Sequence, residues 1–206
     1  MTQSHALQRI AYQGEKGAFS ELAILRLCGE NVHTMSCPEF GDVTHMVRTG
    51  DADFGLLPIA NTIAGPVRAS VDAIAESGLH VILTSEMPIS LCLVAMPGAT
   101  LETLRTVESH PVALRQCGRF LVEHPHLVAR EAYDTAGAAR LVSASGDPSR
   151  AAVASARAAR VHGLVVLRQG IEDAKGNTTR FVVVARDPAQ TLLSALDHDH
   201  RSTNLD

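Results

Sequence analysis

Five short polar clusters interrupt an otherwise apolar chain: Gly14–Ser20, Pro58–Val67, Ser109–Cys117, Asp134–Ala139 and Asn177–Phe181. Each falls where an apolar strand ends or a helix begins, and small-molecule clefts draw their few polar groups from such places. Together they carry hydroxyls (Ser20, Thr62, Thr135, Thr179), carboxamides (Asn61, Gln116), an imidazole (His110) and a guanidinium (Arg180). Groups of this kind hold anions and donate hydrogen bonds. Ser20, at a helix start beside free backbone N–H groups, suits an anion; an N-cap with no ligand accounts for it equally well. Arg180 can clamp a carboxylate bidentately. Its neighbour Thr179 must point to the other side of a regular strand, so Arg180 has a second reading as a structural ion-pair partner. His110, followed by proline, reads as helix-start structure rather than as a base. Taken singly, each cluster also has a plain structural account as a turn, a cap or an edge strand.

The elements that must position these groups alternate between strand and helix, which predicts βαβ units and a mainly parallel sheet. Residues 8–12 read as a strand, Ser20 opens a helix that stops at Gly29, and a second helix follows from Glu39. Residues 52–59 read as a buried strand, and a helix runs from Pro66 with Val67, Val71 and Ile74 on one face. A long β-type stretch from His80 to Gly98 passes from one lobe to another. A helix from Pro111 follows, then a strand before Asp134, a helix capped by Asp134, a helix capped by Ser155, and a last apolar strand through Phe181. This order predicts a two-lobed α/β body spanning residues 8–187. Lobe 1 covers about 8–84 plus 173–187, lobe 2 about 85–172, and residues 188–206 form a disordered tail.

Composition removes several function classes. Five phenylalanines, two tyrosines, no tryptophan and a formal charge of −4 leave no basic stripe with aromatics for nucleic acid. No apolar run approaches the ~20 residues of a membrane span, and the N-terminus lacks a signal-peptide pattern, so a cytoplasmic protein is expected. Cys28, Cys37, Cys92 and Cys117 show no zinc spacing and read as buried small hydrophobes. Nucleotide loops, zinc helices and nucleophile elbows of the common types are absent. No cofactor and no metal are therefore expected. His198 and His200 lie in a polar tail that reads as a solvated end rather than a metal site.

In their order and spacing the five clusters resemble the catalytic domain of the prephenate dehydratases and, nearly as well, of the arogenate dehydratases. The segments carrying the resemblance are Tyr12 to Glu21, Pro58-Ile59-Ala60-Asn61-Thr62, Ser109-His110-Pro111 with Gln116-Cys117, Asp134 to Ala139, and Asn177-Thr178-Thr179-Arg180-Phe181. Two departures stand out. Ala60 replaces the family glutamate, and Thr62 replaces a serine. The family usually continues into a phenylalanine-binding ACT domain; neither that domain nor feedback control by phenylalanine is expected here. Ala18 is closer to the arogenate type.

The resemblance implies a two-lobed, type II periplasmic-binding-protein-like fold whose inter-lobe cleft takes prephenate or arogenate. It also implies a homodimer or larger homo-oligomer. Thr179 is then the catalytic residue, donating to the leaving oxygen. Ser20, Asn61, Thr62, Gln116, Thr135 and Arg180 bind substrate. Two other readings stand beside this one: a non-aromatising prephenate decarboxylase, and a small-molecule-binding protein without catalysis.

Overall fold

The computed structural model describes residues 7–193; His198, His200 and the rest of the C-terminal tail lie outside them. The first lobe begins with β1 (Arg9–Gln13), α1 (Phe19–Cys28), β2 (His33–Cys37), α2 (Phe40–Thr49), β3 (Phe54–Asn61), β4 (Gly65–Pro66), α3 (Arg68–Ser77) and β5 (His80–Pro88). The second lobe contains β6 (Cys92–Ala95), β7 (Thr106–Ser109), α4 (Pro111–Gln116), α5 (Gly118–Glu123), β8 (Val128–Glu131), α6 (Thr135–Ser145), β9 (Arg150–Ala154), α7 (Ala156–Val161) and β10 (Val165–Gln169). The chain then returns through β11 (Thr178–Ala185), which inserts between β3 and β5.

The first sheet has the order β2-β1-β3-β11-β5, with β4 paired to β3. Strand alternation decides what packs on each face. Ile10, Tyr12, Phe54, Leu56, Phe181 and Val183 join α1 and the rest of the main core. Ala11, Leu57, Val182 and Val184 face α2, whose Val43 and Val47, one turn apart, are both fully buried. Burying each such aliphatic side chain contributes roughly 1.5–3 kcal/mol. The second sheet has the order β10-β6-β9-β7-β8. It packs the small-residue face of α6 (Ala136, Ala138, Ala139 and Val142) against the alanine-rich β9.

The two lobes and two crossings make the type II periplasmic-binding-protein-like arrangement. Several local expectations change. Both sheets are mixed: β11 runs antiparallel to β3 and β5, and β6 antiparallel to β9 and β10. Strand β5 stays in the first sheet as far as Pro88, so the chain crosses at residues 89–91 rather than at 84–85. Helix α3 starts at Arg68, because Pro66 is held in β4 opposite Ala60; α3 buries only Ser70 and leaves Val71 exposed. The helix from Pro111 breaks at Cys117 into α4 and α5. Helix α1 begins at Phe19 with Ala18 as its cap, which leaves Ser20 inside the first turn. Residues 188–193, expected in a disordered tail, are tied to the edge of lobe 1. There the Gln190 side chain donates to Asp53 O at 3.1 Å, and Leu193 N donates to Gln8 Oε1 at 3.0 Å.

Candidate active site

A cavity of about 490 Å³ opens between the lobes, within the roughly 300–1,000 Å³ usual for small-molecule sites. Lobe 1 contributes the ends of β1 and β3, the first turn of α1 and the start of β11. Lobe 2 contributes the turns that follow β7 and β8, and the first crossing adds Ile89 and Leu91. Phe19, Phe181, Pro58 and Val112 make much of the wall apolar.

A chain of carboxamides leads to Thr179. Asn61 Nδ2 donates to Thr179 Oγ1 at 2.9 Å and to Asn177 Oδ1 at 2.7 Å, and Asn177 Nδ2 donates to Gln116 Oε1 at 3.3 Å. Asn61 Oδ1 accepts from the backbone N–H groups of Ile63 and Ala64. Both ends of that amide are thus engaged by the protein itself. The consequence falls on Thr179. Its oxygen accepts from Asn61, so its own proton is left for a partner in the cleft it lines. Gln116, whose Oε1 is occupied, likewise has its Nε2 donors available to the cleft.

The first turns of α1 and α6 bring Ser20 and Thr135 to the cavity wall. Asp134 caps α6 by accepting from Gly137 N at 2.5 Å, and its second oxygen accepts from Glu15 N at 3.1 Å. Ala18 offers α1 no side-chain cap. A helix start without such a partner leaves its first N–H groups for a ligand, and the helix dipole favours a negative one. Among the described cleft-lining residues there is no lysine or arginine. Anion recognition in this cavity therefore falls to N–H and O–H donors.

The loop Gly14–Ala18 is held by both lobes. Glu21, in the first turn of α1, is 1% exposed. It accepts from Arg157 Nε at 2.9 Å, Gly17 N at 2.8 Å and Thr34 Oγ1 at 3.1 Å. Burial opposes its charged form, but the Arg157 guanidinium and the Gly17 and Thr34 donors prevail and hold its carboxyl below the ordinary range. Ser155 donates to Gly17 O at 2.6 Å while capping α7. Farther out, the Tyr133 hydroxyl donates to Glu15 Oε1 at 2.8 Å, and Arg140 lies 3.3 Å from the same carboxylate.

Of the residues expected from the sequence, Ser20, Asn61, Gln116, Thr135 and Thr179 share the cavity wall, and Thr62 and Arg180 do not. Thr62 is exposed and accepts from Thr178 N at 2.9 Å, fastening the β3–β4 turn to β11. Arg180 pairs with Glu86 on β5 at 2.8 Å, with both side chains more than half exposed. Strand alternation sends it away from Thr179, and of its two readings the structural ion pair is the one seen. Ala60 stands opposite Arg180 in the β3–β11 register and does not line the cavity either. Burial raises the Cys117 thiol to about 12, far from thiolate chemistry at neutral pH.

Sequence reasoning gave no role to Asn177, Gln13 or Tyr133. Asn177 sits in the last cluster, but nothing local says that a 3%-exposed amide there will bridge two others. Gln13 closes β1 just before the glycine turn, and strand ends of this kind are where α/β sheets bind ligands; that signal was available. His110 lines the cavity as well as starting α4.

Comparisons with known proteins identify the family of the chain. The family model for prephenate dehydratase matches residues 10–189. Arogenate dehydratase 3, chloroplastic, of Arabidopsis thaliana is 40% identical over 181 residues, covering 87% of this chain and 42% of that protein. Arogenate dehydratase 1 of Petunia hybrida is 41% identical over the same length, with the same coverage. The chain thus spans less than half the length of these curated relatives. The crystal structure of a prephenate dehydratase from Arthrobacter aurescens in complex with L-Phe superposes with a TM-score of 0.81 at 31% identity, covering 89% of this chain and 63% of that one. A structure described as GqqA, a novel type of quorum quenching acylases, also reaches 0.81, at 36% identity over 90% of this chain and 66% of its own. With a family match across nearly its whole described length and the family's clusters gathered around one cleft, this chain belongs to the prephenate dehydratase family.

Proposed function

We propose that this protein catalyses the decarboxylative dehydration of prephenate to phenylpyruvate, or of arogenate to phenylalanine, in the inter-lobe cleft. In this reaction the bond from the ring to its carboxylate breaks and carbon dioxide leaves. The electron pair moves through the cyclohexadiene, and the carbon–oxygen bond at the para position breaks. The departing oxygen takes one proton and leaves as water. No external oxidant or reductant is required, because the leaving oxygen accepts the pair. What remains for the protein is to orient the diene, exclude water and stabilise charge growing on that oxygen.

The observation that carries this reading is the orientation of Thr179. A threonine hydroxyl is too weak an acid to ionise usefully, but a donor already aimed by Asn61 strengthens its hydrogen bond as the oxygen gains charge. Gln116 supports the same end of the substrate. The substrate's carboxylates lie toward the first turns of α1 and α6, with Ser20 and Thr135. Four free, buried thiols suit a reducing cytoplasm, and a homodimer or larger assembly, to be checked by light scattering, completes the reading.

The test is to incubate purified protein with prephenate and, separately, with arogenate and to identify the product. Phenylpyruvate or phenylalanine is expected. A decarboxylated product that keeps its ring hydroxyl would replace the dehydratase by a non-aromatising decarboxylase. Binding of either compound without turnover would reduce the protein to a binding module.

A further inference from the structure

His110 looks at first like a helix cap and nothing more. It occupies the N-cap position of α4, and its Nδ1 accepts from Val112 N at 3.2 Å. That hydrogen bond fixes the tautomer. A ring nitrogen that accepts carries no proton, so in the neutral imidazole the proton sits on Nε2. His110 also lines the inter-lobe cavity, and among the described residues Nε2 has no hydrogen-bond partner. The cap and the free donor belong to one ring, and the first determines the second.

The register places that donor beside the turn into α6. Strand β7 runs parallel to β8 with Ser109 opposite Glu131, and Ala132 N donates to Ser109 O at 2.8 Å. His110 therefore leaves its strand beside the turn that carries Tyr133, Asp134 and Thr135 into α6. Asn61 and Thr179 stand on the facing lobe. We infer that His110 is a substrate-binding residue whose Nε2–H donates to a carboxylate oxygen of the bound substrate. It acts beside the first turn of α6, in a cavity whose described lining holds no lysine or arginine. The carboxylate is identified through the dehydratase reading, on which this inference rests.

The variant that separates cap from donor is His110→Ser. A serine caps a helix start well, so the fold and thermal stability stay close to those of the wild type, while the Nε2–H donor is lost. A hydrogen bond to a charged group is worth roughly a 10- to 100-fold change in binding, so KM rises by at least about tenfold while kcat stays within about threefold. A KM within about twofold of wild type, in a variant of unchanged stability, overturns the inference.

An NMR titration gives a readout independent of turnover. In protein labelled with nitrogen-15, the His110 ring should show a protonated Nε2 and a bare Nδ1, and added phenylpyruvate should shift Nε2. An Nδ1-protonated ring, or an Nε2 signal unmoved by saturating phenylpyruvate, also overturns it. If the wild type converts neither prephenate nor arogenate, the dehydratase reading falls and the identity of the carboxylate falls with it, whereas an unmoved Nε2 in an enzyme that turns over its substrate overturns the role of His110 alone.

Discussion

Asn61 shows how little of a polar side chain need face a ligand for it to matter in a site. Its amide nitrogen serves Thr179, Asn177 and the Thr178 carbonyl, and its oxygen closes the turn at Ile63 and Ala64. It orients the Thr179 hydroxyl, which lines the cleft. Replacing that hydroxyl with an isosteric methyl, Thr179→Val, should leave the fold and much of the binding intact. Turnover should fall by roughly 100- to 1000-fold, the loss typical of one transition-state donor. Single-turnover kinetics with prephenate or arogenate measure it, and a near-normal rate would remove Thr179 from the mechanism. Asn61→Leu should also lower kcat. It additionally leaves the buried Asn177 oxygen without its donor, at about 1–3 kcal/mol in stability, so a fall in Tm accompanies the fall in rate. Loss of Tm with full kcat would mean that Thr179 needs no orienting partner. Arg180→Ala, by contrast, breaks an exposed pair worth about 0–1 kcal/mol, and neither KM nor kcat should move appreciably.

Among the elements, the start of α1 and the loop before it are gripped by both lobes. Gly17 has a φ of +93°, and a Cβ there would lie 2.5 Å from Ala158 Cα, a backbone atom of α7 that cannot move aside cheaply. Gly17→Ala should therefore push α7 away and loosen the joint. The expected result is a lowered Tm together with a raised KM, since Ser20 rides on the same turn. A variant with wild-type Tm would show that the lobes tolerate separation at this point.

The Glu21–Arg157 pair at the same joint predicts a pH dependence with a definite sign. The Glu21 carboxyl is depressed in the folded state. The stability it contributes is complete above its unfolded value, near ~4.3, and is lost as pH falls through the lower folded value. Arg157→Met leaves a buried charge unpaired, at about 3–5 kcal/mol near neutral pH. Because the stranded carboxyl can then take up a proton, the Tm gap between variant and wild type should narrow as pH is lowered through the carboxylate range. A gap that stays constant or widens would show that the pair is not the source of the stabilisation.

At the scale of the whole molecule, the return of β11 makes the lobes interdependent. Lobe 1 lacks a central strand until the chain has passed through lobe 2, since β11 lies between β3 and β5. The joint at α1 and the Gln116–Asn177–Asn61 amides tie the lobes a second and a third time. Leu93→Ala, at a fully buried position of lobe 2, should cost about 2–5 kcal/mol. The slowest-exchanging amides of β1 and β3 in lobe 1 should lose protection together with those of β7 and β9. Unchanged exchange in lobe 1 would mean that the lobes unfold separately.

The periodic apolar strands, the glycine stops, Asp134 and Ser155 as caps and the alternation of helix with strand are local physics, and each was legible along the chain. The polar clusters were legible too, because a cleft must interrupt apolar elements to obtain donors. Alternation along the last strand set Arg180 apart from Thr179 without saying which of them faces the cleft, and nothing local distinguished Thr62 from Asn61 in their shared cluster. That sorting is done by strand alternation and by the partner each side chain finds across the sheet: Glu86 for Arg180, the Thr178 N–H for Thr62. The same holds for α1, where Ser20 reads as a cap until Ala18 is seen to occupy that position. Spacing along a chain dictates periodicity and capping because both depend on neighbours within a few residues. Which donors stay free for a ligand depends on partners up to 118 residues away, and only the folded chain brings those together.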